Sequence, residues 1–282
     1  MKRIDNKILK CPNCNAESLN FNEPEIVCTK CKNTFNLENN KYVFLRLEEG
    51  EINDFLDKIK YRLKKFSFFY NFMIKLISPV CPTLNMKKLI KKYVPDDTKI
   101  AINLGSGNSK ISDKVINVDI FAYENVDIVC DIENLPFKNN SVDIIFNFAV
   151  LEHVPNPDKV VKEINRVLIK NGTVISFFPF MQPFHASPYD FSRRTVEGMK
   201  VLYKDFDTIE LKPSGGPTSG LLWIFQEWVS ILLSFGIKPL HYLLNIVLML
   251  LTFPLKFLDF ILIYHPMSKN ISSGFLYIGR KK

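Results

Sequence analysis

The sequence predicts an α/β fold in which crossover helices connect the strands of a parallel β-sheet. Strand-like and helix-like patterns alternate from Lys99 to about Leu211, as expected for such a sheet. The glycine-rich loop Gly105-Ser-Gly107 directly follows the first apolar strand, Lys99–Leu104. An acid, Asp119, ends the next strand. Glycines and acids at the carboxyl ends of parallel strands indicate a ligand site at that edge of the sheet.

The remaining elements of this domain follow in order along the chain. Asp131 comes just after a third strand, and two further strands are predicted over Val142–Asn147 and Thr173–Phe178. A helix between these two strands presents apolar residues at helical spacing, namely Val160, Val161, Ile164, Val167 and Leu168. The turn Lys170-Asn-Gly172 then leads into the last of these strands.

A small β-rich module with two cysteine pairs is predicted ahead of this domain. Cys11 and Cys14 form one C-x-x-C pair, and Cys28 and Cys31 form a second after thirteen intervening residues. Two such turns bring four thiolates together, which suits a tetrahedral Zn²⁺ ion. Four thiolates leave no open coordination position, so we expect a structural zinc ribbon.

Chain length, charge and the N-terminal residues bound the remaining possibilities. The 282 residues suffice for one α/β domain and a smaller module, and the formal net charge is +8. Ten Lys or Arg residues and no acid lie between Lys58 and Lys92, which favours an anionic surface such as lipid headgroups or nucleic acid. A solvated helix face is the alternative. No secretory signal opens the sequence, so we expect a reducing, cytoplasmic compartment.

Three regions are therefore expected. Residues 1–50 form the zinc ribbon, residues 51–98 a helical linker rich in basic and aromatic side chains, and residues 99–282 the α/β domain. An apolar helical insertion is predicted within that domain at about residues 215–266, before a final strand near Phe275–Ile278.

The spacing between the glycine loop and the next acid constrains the ligand. Asp119 lies only twelve residues after Gly107, whereas the dinucleotide fingerprint needs about twenty to accommodate a helix. The first crossover helix should be missing or reduced to a turn. This argues against NAD, whose pyrophosphate binds at that helix N-terminus, and in favour of a cofactor without phosphate.

The ordered motifs of this region resemble those of class I methyltransferases that use S-adenosylmethionine (SAM). They are Leu135-Pro-Phe137, Ser141-Val-Asp143, Leu151-Glu-His-Val154, Glu163-Ile-Asn-Arg-Val-Leu168 and Asn171-Gly172. The resemblance covers about Lys99 to Leu211. It implies a Rossmann-like sheet that is parallel except for an antiparallel last strand. The cysteine module similarly resembles zinc ribbons that precede some methyltransferase domains.

The resemblance also implies a cofactor site, residue by residue. Gly105 and Gly107 would flank the methionine part of SAM, and Asp119 would accept hydrogen bonds from the ribose hydroxyls. Asp131 with Ile132 would hold the adenine, and Asn147 with Phe148 would lie beside the reacting methyl group. The neighbouring residues of the predicted cofactor site are Asn103, Leu104, Ser106 and Ile120.

Polar and aromatic residues after the last of these strands are candidates for the methyl acceptor site. His185 is the predicted general base, with Asp190 as its orienting partner or a substrate contact. The alternative is that His185 has only a structural hydrogen bond. His153 is predicted to cap or orient its own loop. The run Pro183-Phe-His185, Pro188-Tyr-Asp-Phe191, Arg194-Thr-Val-Glu-Gly198 resembles a subset of methyltransferases of cell-surface polysaccharide and glycolipid assembly.

The apolar insertion and the basic segment bear on localisation. Both ends of the insertion return to one sheet, which excludes a single membrane crossing. Residues 58–77 combine basic and aromatic side chains, as interfacial helices do. We expect monotopic membrane association through residues 58–77 and 215–266, at the inner face of the cytoplasmic membrane. A soluble subdomain or a homodimer interface is the alternative.

The predicted function is transfer of a methyl group from SAM to a saccharide or lipid-linked saccharide. An rRNA methyltransferase is the main alternative, because a zinc ribbon precedes this fold in some of those enzymes and the basic segment could bind phosphates. The long apolar insertion fits RNA poorly. A non-catalytic protein that binds SAM or docks a partner is the alternative of another class.

Overall fold

A computed structural model describes residues 4–38, 41–45, 80–185 and 189–282. Within these ranges, one mixed sheet has eleven strands in the order β1-β2-β3-β4-β7-β6-β5-β8-β9-β11-β10. The strands are β1 (Leu19–Asn22), β2 (Glu25–Cys28), β3 (Thr34–Glu38), β4 (Lys41–Val43), β5 (Ala101–Leu104), β6 (Val115–Asp119), β7 (Ile128–Val129), β8 (Val142–Phe148), β9 (Leu168–Pro179), β10 (Phe206–Gly215) and β11 (Gly274–Lys281).

The central part of this sheet confirms the predicted Rossmann-like class I methyltransferase arrangement. Strands β7, β6, β5, β8 and β9 are parallel, and β11 inserts antiparallel between β9 and β10. All residues of β5 and β6 are buried, and six of these nine residues are apolar without the strict alternation of a half-exposed strand. Parallel pairing brings the carboxyl ends of β5 to β9 to one edge.

Among the described residues, three helices flank this sheet: α1 (Met86–Tyr93), α2 (Pro157–Val167) and α3 (Val196–Leu202). The sequence sets the start of α2. The side chain of Asn156 caps the helix by accepting a hydrogen bond from Lys159 N at 3.2 Å, and Pro157 occupies the first turn. The apolar face of α2 joins the larger core cluster, and α1 packs on the smaller cluster formed with β5, β6 and β8. The predicted helical linker is thus described only from residue 80 onward. Its residues 51–79 lie outside the described ranges.

The connection from β5 to β6 contains no helix. Residues 105–114 form turns, a bend and irregular backbone, which confirms the prediction made from the twelve-residue spacing. Gly105 and Gly107 both have positive φ angles, of 60° and 54°. The loop therefore reverses sharply at the sheet edge, which a residue with a side chain would do only under strain.

The N-terminal module extends the sheet instead of forming a separate lobe. Its four strands are antiparallel to one another, but β4 pairs in parallel with β7 through Tyr42 with Ile128 and Val43 with Val129. An isolated bridge between Leu9 and Phe137 adds a second attachment.

The predicted apolar insertion lies between β10 and β11. It contains α4 (Pro217–Ser234), α5 (Lys238–Thr252), a 3-10 helix (Phe253–Leu258) and α6 (Asp259–Leu262). Helices α4 and α5 pack on each other as a hairpin. Residues Lys238–Leu262 form a helical segment that is long and apolar enough to cross a membrane, with a mean hydropathy of 1.8 and few of its residues buried.

Candidate active site and cysteine cluster

The two C-x-x-C pairs adopt the same backbone turn. The carbonyl of Cys11 accepts a hydrogen bond from Asn15 N at 2.9 Å, and that of Cys28 accepts one from Lys32 N at 3.0 Å. Asn15 and Lys32 both have positive φ angles, of 59° and 61°. Each turn therefore points its two sulfur atoms toward the other turn.

The four sulfur atoms form one compact cluster. Cys11 Sγ lies 3.6 Å from Cys31 Sγ, and Cys14 Sγ lies 3.5 Å from Cys28 Sγ. All four lie within 4.8 Å of one another. A tetrahedron with Zn–S bonds of about 2.3 Å has S···S edges of about 3.8 Å, so the donor set and its size fit Zn²⁺.

The glycine loop and Asp119 form a joint cradle at the carboxyl edge of the sheet. Gly107 N donates to Asp119 Oδ2 at 2.7 Å, and Phe121 N donates to Asp119 Oδ1 at 3.0 Å. A Cβ atom at Gly105 would collide with the γ-methyl groups of Val150, whereas a Cβ atom at Gly107 would enter open space. Burial raises the pKa of Asp119, and the backbone N–H groups oppose that rise.

The other predicted cofactor residues lie along the same edge, at the ends of adjacent strands. Asn147, the penultimate residue of β8, lies beside Leu104 of β5, and it is fully buried with neither amide atom hydrogen-bonded among the described residues. Asn103 instead donates to Asn117 Oδ1 at 3.2 Å inside the sheet. The remaining predicted residues differ in exposure: Leu104, Ser106 and Ile132 are buried, Phe148 is half-buried, and Ile120 and Asp131 are exposed.

These features fit SAM without a phosphate site. Each carboxylate oxygen of Asp119 accepts one backbone hydrogen bond and retains a lone pair for a ribose hydroxyl. The open space beside Gly107 leaves room for the cofactor. The side-chain amide of Asn147, which has no hydrogen-bond partner among the described residues, offers a donor and an acceptor at the same edge. The role of each predicted cofactor residue stays a prediction.

The β9–α3 loop, described over residues 180–185 and 189–194, carries a second polar group of residues at this edge. Arg193 pairs with both carboxylate oxygens of Asp190, at 2.6 Å to Oδ2, and donates to Pro183 O at 2.9 Å. Asp190 also accepts from His185 N at 2.8 Å. These bonds outweigh burial and lower the pKa of Asp190. Asp190 thus holds the loop backbone, and its carboxylate lies 3.8 Å from His185 Nδ1.

The two histidines of the site meet edge to face, with ring centroids 5.4 Å apart. His153 Nδ1 bonds to the carbonyl of Tyr189, so Nδ1 carries the proton and Nε2 has a free lone pair. Burial lowers the pKa of His153. In contrast, His185 Nδ1 lies 3.1 Å from an N–H donor of Arg193 and 3.2 Å from the carbonyl oxygen of Pro183, and these two contacts favour opposite tautomers.

Glu152 and Arg193 are the site residues that sequence reasoning missed. Glu152 is fully buried, and neither carboxylate oxygen has a hydrogen-bond partner among the described residues, although His153 Nε2 lies 3.8 Å from Oε1. Burial raises its pKa to about 7. Glu152 lies within the Leu151–Val154 motif, so its position was visible in the sequence but its burial was not.

Fold and site together define a SAM-dependent methyltransferase domain. Residues 98–176, from the start of β5 to most of β9, match the family model described as a methyltransferase domain, Methyltransf_11. The match includes the glycine loop, Asp119 and the Glu152–His153 pair. It covers less than a third of the chain and does not extend to the cysteine cluster, the β9–α3 loop or the insertion.

The solved structures to which this chain is similar are distant from it in sequence. The [4+2]-cyclase SpnF is 14% identical, with 70% of this chain and 80% of that chain covered and a TM-score of 0.44. Phosphoethanolamine N-methyltransferase 2 of Haemonchus contortus, in complex with SAM, is 16% identical, with 70% and 52% covered and a TM-score of 0.43. A SAM-dependent methyltransferase from Aquifex aeolicus is 14% identical, with 48% and 86% covered and a TM-score of 0.38. No protein of curated function matches the sequence.

Proposed function

We propose that this methyltransferase methylates a hydroxyl group of a saccharide or lipid-linked saccharide. The observation that carries the proposal is the composition of the β9–α3 loop at the cofactor edge. Its described residues combine the polar groups of His185, Asp190 and Arg193 with exposed rings of Phe184, Tyr189 and Phe191. Polar groups that can bond to hydroxyls, next to apolar rings that can cover a sugar face, suit a carbohydrate.

The chain's own residues would position the acceptor and remove its proton. When bound, SAM supplies a methyl group on a positively charged sulfur, ready for in-line transfer. Holding the acceptor in line is the main contribution of such a site. A neutral imidazole with a free lone pair can accept the hydroxyl proton as the new C–O bond forms.

Two histidines can fill this role, and their hydrogen bonds distinguish them. His153 keeps Nε2 unprotonated because Tyr189 O holds its Nδ1 proton. His185, the base predicted from the sequence, contacts both an N–H of Arg193 and the carbonyl oxygen of Pro183 at Nδ1, so these contacts do not fix its tautomer, and its Nε2 can donate to an acceptor oxygen. In this proposal His153 accepts the proton and His185 orients the acceptor.

Loss of a specific methyl group in the cell tests the proposed acceptor. Cell-envelope glycans, glycolipids and rRNA from cells with and without the gene would be compared by mass spectrometry. A methyl group lost from an envelope saccharide alone supports the proposal. A methyl group lost from rRNA alone would replace it with the RNA alternative, and no loss in any fraction would favour a non-catalytic role.

Single-turnover rates with the methylated saccharide's precursor then separate the two histidines. A general base contributes about 10²- to 10⁴-fold, so we expect His153→Gln to lower the rate by that order at saturating acceptor. We expect His185→Gln to act mainly on KM for the acceptor. The reverse pattern would restore His185 as the base.

A further inference from the structure

In the α4–α5 hairpin, polar residues face inward and apolar residues face outward, which is the reverse of a helical hairpin in a water-soluble protein. The residues of α4 that face inward are mostly small or polar, namely Pro217, Ser219, Gly220, Leu222, Gln226, Ser230 and Ser234. Hydrogen bonds cross between the helices, from Gln226 Nε2 to Thr252 Oγ1 at 2.8 Å and from Asn245 Nδ2 to Glu227 Oε2 at 2.8 Å. Small residues and polar bridges are typical of helix contacts inside lipid.

Most charged groups of this region also turn inward. Residues 217–262 contain four charged side chains. Glu227 pairs with His241 Nε2 at 3.0 Å, Lys256 is 5% exposed, and Asp259 is fully buried. Asp259 accepts bonds from Thr218 N and Ser219 N at the start of α4. The fourth, Lys238, stands at the hairpin tip, where its long side chain can extend toward a polar surface.

The outward faces are almost entirely apolar. On α4 and the tip, the exposed apolar residues are Leu221, Ile224, Phe225, Trp228, Ile231, Leu232, Leu233, Phe235 and Ile237. On α5 and the following turns they are Tyr242, Leu243, Ile246, Val247, Leu250, Leu251, Leu255, Phe257, Leu258, Phe260, Ile261 and Leu262. From Tyr242 to Leu251 they span about half of the helix circumference, far beyond the isolated apolar patches of soluble proteins.

We propose that this hairpin inserts into a lipid bilayer from one side and returns to the same side. A second copy of the chain would cover one flank of the hairpin and leave the tip in water. The apolar ring of the tip residue Phe235, which is 83% exposed, would then remain unburied. The 18 residues of α4 measure about 27 Å, close to the hydrocarbon thickness of about 30 Å. Lipid is the occupant that covers both flanks and the tip together.

The position of the hairpin brings the active-site edge to the bilayer. The hairpin leaves the sheet after Gly215 and returns at Gly274, which pairs with Pro179 at the carboxyl end of β9. The β9–α3 loop is bonded to the hairpin base, through Phe180 N and Gln182 Nε2, both to Ser273 O at 2.9 Å. The exposed rings of Phe184, Tyr189 and Phe191 on this loop suit the headgroup region.

This placement narrows the acceptor to a saccharide carried by a membrane lipid, a step that rests on the proposed function. An acceptor bound at the β9–α3 loop would lie at headgroup depth, where the sugar of a glycolipid projects. The catalytic domain then stays on one face of the membrane, and the reducing environment expected for the cysteine cluster makes that the cytoplasmic face.

The chain's own tryptophans report on insertion. Both tryptophans, Trp223 and Trp228, lie in α4, and Trp228 is 59% exposed on the outward face. The full-length Trp223→Phe protein would be reconstituted from detergent into vesicles of phosphatidylcholine and phosphatidylglycerol, with and without bromine on the acyl chains. We expect the Trp228 emission to shift to shorter wavelength and to be quenched several-fold by the brominated lipid.

Flotation of variants tests which surface is responsible. We expect Ile231→Arg to reduce the vesicle-bound fraction at least tenfold. Val201→Arg, which changes a residue of similar exposure on α3, should float like the unmodified protein. The proposal would be overturned if the Trp228 emission is not quenched and the protein does not float with the vesicles. It would also be overturned if the protein forms a dimer without detergent and Ile231→Arg dissociates that dimer.

These measurements do not depend on methyl transfer, so the two proposals can fail separately. If the hairpin inserts but a soluble saccharide is the only methylated product, the membrane proposal stands and the proposal of a lipid-linked acceptor is wrong. Insertion with a methyl group lost from rRNA would reject the proposed function alone.

Discussion

Gly107 N donates a 2.7 Å hydrogen bond to Asp119 Oδ2, which joins the loop after β5 to the acid that ends β6. The bond spans the twelve residues from which a helix is missing. Asp119 therefore has two tasks: its carboxylate shapes the glycine loop, and its remaining lone pairs face the cofactor edge.

Replacement of this acid should weaken SAM binding. Hydrogen bonds to a charged group contribute about 1.5–3 kcal/mol, so we expect Asp119→Asn to raise the Kd for SAM by roughly 10- to 100-fold in isothermal titration. Asp113→Asn, which removes an exposed carboxylate paired with Lys110, is the control and should bind normally. An unchanged Kd in Asp119→Asn would exclude Asp119 from the cofactor site.

The two loop glycines should respond differently to alanine. Both need positive φ, a strain of about 1–2 kcal/mol for alanine. Only Gly105→Ala also collides with Val150, which adds about 1–3 kcal/mol. We therefore expect a larger drop in the free energy of unfolding for Gly105→Ala than for Gly107→Ala, measured by urea denaturation. Val150→Ala should recover part of the Gly105→Ala loss, and equal losses for both glycines would contradict the assigned collision.

Disruption of the cysteine cluster should reach the cofactor site. Asn134 Nδ2 donates to Pro12 O in the first cysteine turn at 2.6 Å, and Lys10 N donates to Pro136 O at 3.0 Å. The loop between these contacts follows Asp131 and Ile132. We expect Cys28→Ser to abolish zinc binding, measured by elemental analysis, and to weaken SAM binding several-fold.

Two variants separate these effects. Cys81→Ser changes a cysteine outside the cluster and should retain both zinc and SAM affinity. Asn134→Ala should retain zinc and lose part of the SAM affinity. If Cys28→Ser keeps its full zinc content, the metal assignment is wrong. Full SAM affinity in zinc-free protein would show that the module does not support the adenine loop.

The buried Glu152 carboxyl should make stability depend on pH. Burial raises its pKa from 4.5 to about 7, so the folded protein keeps a proton that the unfolded chain releases. This contribution is fully present below about pH 4.5 and is lost as the pH rises through about 7, a change of up to about 3 kcal/mol. Glu152→Gln removes the titrating group with little change in shape. We expect it to be more stable than the unmodified protein at pH 8 and to lose this part of the pH dependence. If the free energies of unfolding of the two proteins change in the same way from pH 5 to pH 8, this prediction is wrong.

Local sequence patterns were sufficient to predict the methyltransferase sheet. Apolar runs marked β5, β6, β8 and β9, and the short spacing from Gly107 to Asp119 correctly predicted that no helix separates β5 from β6. Such signals are short-range, because strand pattern, turn residues and spacing are all set by neighbours in the chain. The four cysteines were likewise correctly expected to cluster, since each C-x-x-C turn is a local structure.

Long-range contacts decided the rest. The sequence could not show that β4 pairs with β7, that Asn134 reaches Pro12, or that the side chain of Arg193 rather than that of His185 bonds to the Asp190 carboxylate. Partners in these contacts are chosen by packing between segments remote in sequence, and no periodicity records that choice. The buried state of Glu152 is another such outcome, because its motif fixes a position along the chain and not its solvent access.

The apolar insertion shows the same division most clearly. The composition of the sequence established that residues 215–266 are apolar, and the fold that its motifs resemble predicted that both ends return to one sheet. Only the tertiary structure decided which faces of α4 and α5 meet: Ser230, Gln226 and Glu227 turn inward, and Trp228 and Ile231 turn outward. A helix with apolar residues around much of its circumference has no single face marked for burial, so its orientation depends on the polar groups that find partners across the hairpin.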